Sequence, residues 1–276
     1  MKATASINES GMDREVRKLL GRGFFSTYFQ PIISTGALSA KGYEALLRGP
    51  AGSVFQEPGR LFGAHSTLSR RIKVELDMAC IGSAVRTARH LPEEGLIFIN
   101  ILAETLMKLA RDIESFISLL KSLDIRPDRV VLEVSESAGF EDSSRIMKVL
   151  AVFRRAGIRF ALDDIGIRSP YLHHILFLEP EYLKLDNTFV CGIDSDGRKQ
   201  ALVKGVCYMA RQVDAELIAE GVESVAEFEC LKDLGVPNVQ GYLFGRPAPS
   251  ESCAMSREQK AAAPAAPGKM MMGFAR

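Results

Sequence analysis

A chain of 276 residues and 30.3 kDa suits either two average domains or one α/β barrel. With 47% hydrophobic and 25% charged residues it is globular in composition, which excludes collagen-like, coiled-coil and wholly disordered classes. The formal net charge of +1 leaves no basic excess to hold a nucleic-acid polymer and no acidic excess for a solvating tail, so a charged ligand has to be met locally.

The first 25 residues contain no apolar signal-like core, and no run of about 18 apolar residues occurs, so a cytoplasmic protein without a membrane span is expected. Residues 11–20 place Val16, Leu19 and Leu20 at helical spacing ahead of Gly21 and Gly23, which predicts a short entry helix inside an N-terminal extension, residues 1–23. Two aromatic and β-branched runs, FFSTYFQPII and LSAKGYEALL, flank Ser34-Thr35-Gly36-Ala37 and predict an antiparallel hairpin. Beyond it, helical periodicities such as Ile113-Phe116-Ile117-Leu120 alternate with apolar runs at 96–99, 130–134, 158–162, 182–185, 217–219 and, more weakly, 236–239. Repeated βα units of this kind imply a parallel sheet. Cys80, Cys191, Cys207, Cys230 and Cys253 are odd in number and form no C-x-x-C, so free thiols in a reducing compartment are expected. Residues 251–276, ending in AAAPAAPGKMMMGFAR, carry no strand or turn pattern and read as a disordered tail, which leaves 24–250 as the domain.

The informative signal is positional. Each apolar run holds or precedes a carboxylate, amide or lysine: Glu44, Asn100, Glu133, Asp163 with Asp164, Lys184, Glu220 and Gln240, spaced from Asn100 onward by 20 to 36 residues, enough for one strand and one crossover helix. A closed barrel gathers such groups at its C-terminal mouth, where barrel enzymes build their sites. Taken singly, any of them reads as a helix cap or a solvated strand end; Asp163-Asp164 before Gly166 is an example. Together, five acids in one mouth repel one another by several kcal/mol unless cations intervene. The donors are all oxygens, which favours Mg²⁺ or Mn²⁺ over Zn²⁺, and two such ions suit phosphodiester hydrolysis. A barrel with a lysine base and Mg²⁺, of the enolase kind, fits the ligand chemistry as well.

The order of the motifs resembles the EAL domain of cyclic di-GMP phosphodiesterases. The chain shows Glu44-Ala45-Leu46-Leu47-Arg48, with Tyr28-Phe29-Gln30-Pro31-Ile32 before it. After it come Phe98-Ile99-Asn100, Leu132-Glu133-Val134-Ser135-Glu136, Ala161-Leu162-Asp163-Asp164, Leu183-Lys184-Leu185-Asp186, Ala219-Glu220-Gly221-Val222-Glu223 and Gln240-Gly241-Tyr242-Leu243-Phe244-Gly245-Arg246-Pro247. The resemblance implies a TIM-type (β/α)8 barrel with an antiparallel strand near the start, in a homodimer. It implies two Mg²⁺ or Mn²⁺ ions on Glu44, Asn100, Glu133, Asp163, Asp164 and Glu220. Glu44, Lys184 and Gln240 would surround the nucleophilic water, the pKa of Lys184 depressed by the cations, while Arg48, Leu46 and Gln30 would contact cyclic di-GMP and the product would be linear pGpG. Glu136 would anchor the loop after Asp164, which in the family links the metals to the dimer interface. That loop departs from the family's Phe-Gly-Thr-Gly-Tyr-Ser-Ser-Leu: it reads Ile165-Gly166-Ile167-Arg168-Ser169-Pro170-Tyr171-Leu172. The departure leaves a second implied reading, a catalytically silent module that binds cyclic di-GMP or a protein partner.

Overall fold

The computed structural model describes residues 11–56, 58–63, 66–135, 143–166 and 172–253. Eight strands, β1 (Ser26–Ser34), β2 (Ala40–Arg48), β3 (Leu96–Asn100), β4 (Val130–Ser135), β5 (Arg159–Ile165), β6 (Tyr182–Leu185), β7 (Glu216–Ala219) and β8 (Asn238–Gln240), close into a barrel in sequence order. The predicted hairpin is β1 and β2, with Gln30 opposite Glu44. Because β1 is antiparallel to β2 and to β8 while β2 through β8 run parallel, the barrel closes through one reversed strand.

The helices are α1 (Gly11–Gly21), α2 (Gly59–Phe62), α3 (Arg70–Ala88), α4 (Ala103–Leu109), α5 (Ile113–Ser122), α6 (Ser143–Arg155), α7 (Leu172–Leu178), α8 (Asn187–Val190), α9 (Gly197–Gln212) and α10 (Val225–Asp233). Four of them enter the next strand by the same device. A residue at positive φ, Asp124, Gly157, Asp214 or Gly235, ends the helix. The amide of the apolar residue after it, Ile125, Ile158, Ala215 or Val236, reaches back five residues to a helix carbonyl. Those four apolar residues are buried, so each turn both satisfies the helix end and aims the following strand into the core.

Period 2 along the strands then separates two cores. Outward residues such as Ile97, Ile99, Leu132, Leu162 and Leu183 join the helices in one cluster, whereas Ile32, Leu96, Phe98, Val131, Ala161, Tyr182 and Ile218 fill the barrel interior. Phe98 meets Tyr182 edge to face at 5.2 Å between centroids. Two residues further along, on the same inward face, stand Asn100, Glu133, Asp163 and Lys184 within their strands and Glu220 just past the end of β7. The apolar plug thus forms the floor of a polar layer at the mouth.

The helix predicted at residues 11–20 is α1. Its Val16 is buried with Leu47, Phe55, Leu61 and Leu76, and Asp13 accepts the amide of Ser69 (3.0 Å) at the start of α3. After β8 the chain returns to β1, where Phe29 and Ala248 exchange backbone hydrogen bonds and Cys253 is buried beside the Phe29 carbonyl. Of the expected tail, residues 251–253 belong to a helical turn and the rest lie outside the described residues. No disulfide joins any of the five cysteines, and among the described residues no helix is long and apolar enough to cross a membrane.

One buried acid in α3 carries a stability prediction. Asp77, 5% exposed, accepts the amide of Leu102 (2.9 Å), where Leu102 has no capping side chain of its own for α4. Burial pushes its carboxyl up to about 6 although the Leu102 amide and Thr105 hydroxyl pull the other way. With a folded pKa above the unfolded one, the folded state holds the proton longer, so stability falls as pH rises from about 4 to 6 and stays lower above. Asp77→Asn keeps an acceptor for Leu102 and is expected to stabilise the protein at pH 8 by about 1–3 kcal/mol, and not at pH 4. Urea titrations at the two pH values check this; an equal effect at both would assign the change to packing.

Candidate active site

The polar layer is organised around one ammonium. Lys184, on β6, is 1% exposed, and its Nζ lies 2.7 Å from Glu220 Oε1, 2.9 Å from Glu133 Oε1, 3.3 Å from Glu44 Oε2 and 3.6 Å from Asp163 Oδ1. Glu44 is the second hub. Its Oε1 accepts from Asn100 Nδ2 (3.0 Å) and its Oε2 from Gln240 Nε2 (2.7 Å), so side chains of β2, β3, β6 and β8 are tied through one carboxylate. Gln240 also donates to Gln30 Oε1 (3.2 Å), and Gln30 in turn donates to the Gly245 carbonyl (3.0 Å).

Asp163 and Asp164 do not follow β5, as the sequence suggests; they lie inside it. The pairing with β6 slips between Leu162 and Ile165, Asp164 sits at φ +62°, and its amide donates to Asp163 Oδ1 (2.9 Å). The kink turns consecutive carboxylates toward the site, a backbone strain of the kind that functional positions hold. Gly166 follows at φ +109°, and a Cβ there would overlap the ring of Phe189, which fixes the chain path as it leaves the pair.

Charge does not balance here. Five acids face one lysine, and burial pushes Glu133 well above the usual carboxylate range, Glu220 up to about 8, and Asp163 and Asp164 upward as well. For Glu44 burial is outweighed by Lys184 and by the Gln240 and Asn100 hydrogen bonds, so its carboxyl is lowered. Burial alone would lower Lys184; Asp163, Glu133, Glu220 and Glu44 outweigh it and hold the ammonium protonated well above its ordinary value. Among the described residues no trio of acidic, His or Cys side chains stands as a ready metal cage, because the carboxylates turn onto Lys184. The donor set nonetheless fits hard divalent cations. It is all oxygen and over-negative, and Glu133 Oε2 and Gln240 Oε1 are buried without a hydrogen-bond partner among the described residues.

The mouth opens into a cavity of about 780 Å³, within the range that small-molecule ligands occupy. Glu44, Asn100, Glu133 and Asp164 line its barrel end; Leu46, Phe62, Lys73, Asp77, Cys80 and Ala84 line its flank. The structure thus brings together every predicted metal ligand, Lys184, Gln240 and Gln30, and sets Leu46 in the cavity wall. Arg48 stands apart from the cluster: its Nη1 donates to the Leu47 carbonyl (2.7 Å) and its guanidinium lies 5.8 Å from the centre of the Tyr28 ring. Glu136 and residues 167–171 lie outside the described residues. Sequence reasoning missed the α3 wall, although Lys73, Asp77, Cys80 and Ala84 recur at helical spacing.

Comparisons with known proteins agree with this fold. The family model described as EAL domain matches residues 13–247. Signaling protein YkoW of Bacillus subtilis is 27% identical over 256 residues, which are 91% of this chain and 31% of that protein. Cyclic di-GMP phosphodiesterase PdeB of Shewanella oneidensis is 30% identical over 235 residues, 82% of this chain and 26% of its own length. Among solved structures, Klebsiella pneumoniae BlrP1 in a manganese and cyclic di-GMP complex superposes with a TM-score of 0.73 at 28% identity, over 82% of this chain and 56% of that one. The chain therefore spans about a third or less of these two curated relatives.

Proposed function

Because the chain belongs to the EAL domain family, we propose that it hydrolyses one phosphodiester of cyclic di-GMP to linear pGpG with two Mg²⁺ or Mn²⁺ ions. The observation that carries this reading is the excess of buried carboxylates gathered from β2, β4, β5 and β7 around Lys184 at the end of a ligand-sized cavity. Glu44, Asn100, Glu133, Asp163, Asp164 and Glu220 would hold the ions. When bound, these supply a water of lowered pKa and positive charge for the phosphoryl oxygens.

The chain's own groups do the rest. Lys184, whose Nζ reaches carboxylate oxygens of Glu220, Glu133, Glu44 and Asp163, acts as a donor that orients the attacking water and offsets charge in the layer. Gln240 fixes Glu44 through its Nε2 and keeps its buried Oε1 as an acceptor for that water. Arg48 gives up its bond to the Leu47 carbonyl to meet a phosphate, and its planar fork suits that contact.

Turnover is expected with Mg²⁺ or Mn²⁺ and none in excess EDTA, read by chromatography of the products. Unchanged turnover in EDTA would overturn the two-ion reading. One sequence feature favours a second reading, a receptor that binds without cleaving: Ile167 and Arg168 stand where the family has Thr and Gly. Binding in Ca²⁺ with no turnover in Mn²⁺ would select it, and restoration of turnover by Ile167→Thr with Arg168→Gly would place the cause in that loop.

A further inference from the structure

The flank of the cavity has a composition of its own. Its walls are largely apolar, with Leu46, Pro58, Phe62, Ala84 and Leu102, and among the described lining residues Lys73 is the only cation. Its neighbour one turn on, Asp77, is already engaged by the amide of Leu102. Lys73 is half-buried on the first turn of α3, and among the described residues its ammonium has neither an ion pair nor a hydrogen bond, whereas its exposed neighbours Arg70 and Arg71 pair with Glu104 and Glu75. An ammonium brings three donors and no acceptor. A lobe lined largely by apolar side chains, with one cation among its described lining residues, calls for a flat, largely apolar group with an acceptor edge.

A cyclic dinucleotide offers phosphate oxygens and base edges. The phosphate to be cleaved belongs with the carboxylate layer, since the groups that activate water are there. The base edges divide by chemistry: guanine presents two acceptors, O6 and N7, on one edge, while adenine replaces O6 with an amino donor that an ammonium repels.

We propose that the lobe between β2, α2 and α3 receives one guanine base, and that Lys73 reads its O6/N7 edge and sets the preference for guanine over adenine. This rests on the reading of the site as a cyclic dinucleotide site. Lys73 is assigned to specificity and not to the chemical step.

The test is a set of binding titrations in Ca²⁺ with cyclic di-GMP and cyclic di-AMP, on the wild type, Lys73→Met and Lys73→Arg, with a melting curve for each protein. Lys73→Met is expected to weaken cyclic di-GMP about ten- to a hundredfold and cyclic di-AMP by less than about threefold, and Lys73→Arg to keep most of the preference. If Lys73→Met melts early, Lys73→Gln replaces it in the same comparison. A preference left intact would overturn the assignment, and so would an equal loss for both nucleotides, which would mean a phosphate contact. Failure of the wild type to bind either nucleotide would remove the parent reading, and this one with it.

Discussion

Replacing Lys184 with methionine is expected to lower the melting temperature in EDTA by roughly 6–20 °C. The same variant should regain more of that loss on adding Mg²⁺ or Mn²⁺ than the wild type gains from the same addition. Methionine keeps most of the length of the stem but removes, among the described residues, the one positive charge paired within 4 Å with Glu44, Glu133, Asp163 and Glu220. Breaking a buried ion pair from one side costs about 3–5 kcal/mol, because the partner stays buried without compensation. Here four partners are left, and Glu133 has no exposed side-chain surface through which water could take over. Some of the cost is met by proton uptake, since Glu133 and Glu220 already bind protons far above the usual carboxylate range. The loss should therefore be larger at pH 9, above the value of about 8 to which burial pushes Glu220, than at pH 6. Turnover should fall as well, the donor to the attacking water being gone. A melting temperature in EDTA unchanged from pH 6 to 9 would show that Lys184 does not hold the carboxylate layer together.

Most of this layer was legible in the sequence because period 2 is unforgiving. In β3, β4, β5, β6 and β7 the polar residue lies two positions after one that fills the barrel: Phe98 and Asn100, Val131 and Glu133, Ala161 and Asp163, Tyr182 and Lys184, Ile218 and Glu220. A strand that buries the first has to turn the second the same way. β8 was faint for the converse reason. It has three residues, and its inward Asn238 is a buried amide that donates to Glu216 Oε2 and the Leu217 carbonyl, so the apolar run is broken by a residue of the barrel floor. The position of Asp164 within β5 was hidden because the slip in register belongs to the pairing of β5 with β6, which the pattern of one strand does not carry. The α3 wall was hidden because that helix is nearly uniform around its circumference: Asp77 and Lys73 replace apolar residues on its inner face, and the stripe that marks an amphipathic helix is lost. α1 shows the stripe plainly, and its bounds were read to within a residue.

Glu44→Gln is expected to lower kcat/KM by about three orders of magnitude, roughly 4 kcal/mol of transition-state stabilisation, although it is nearly isosteric. Three donors converge on this carboxylate: Asn100 Nδ2 on Oε1, and Gln240 Nε2 and Lys184 Nζ on Oε2. An amide offers one oxygen and places an NH₂ at the other position, so either Asn100 or the pair of Gln240 and Lys184 meets a donor with a donor. The side chain also loses the charge by which it would hold a divalent ion, and the metal concentration for half-maximal turnover should rise with the fall in rate. Glu44→Ala removes the clash with the ligand and is expected to lose a similar amount of activity, which separates loss of the carboxylate from insertion of the wrong group. Asn100→Ala keeps the Glu44 charge and should cost only about 10- to 100-fold, the usual range for a group that orients a metal-binding side chain from outside. The measurement is a steady-state comparison of the three variants across a Mn²⁺ titration. Wild-type rates for Glu44→Gln at saturating Mn²⁺ would show that Glu44 acts only as a hydrogen-bond hub within the barrel, and would take the first proposed ligand out of the metal site.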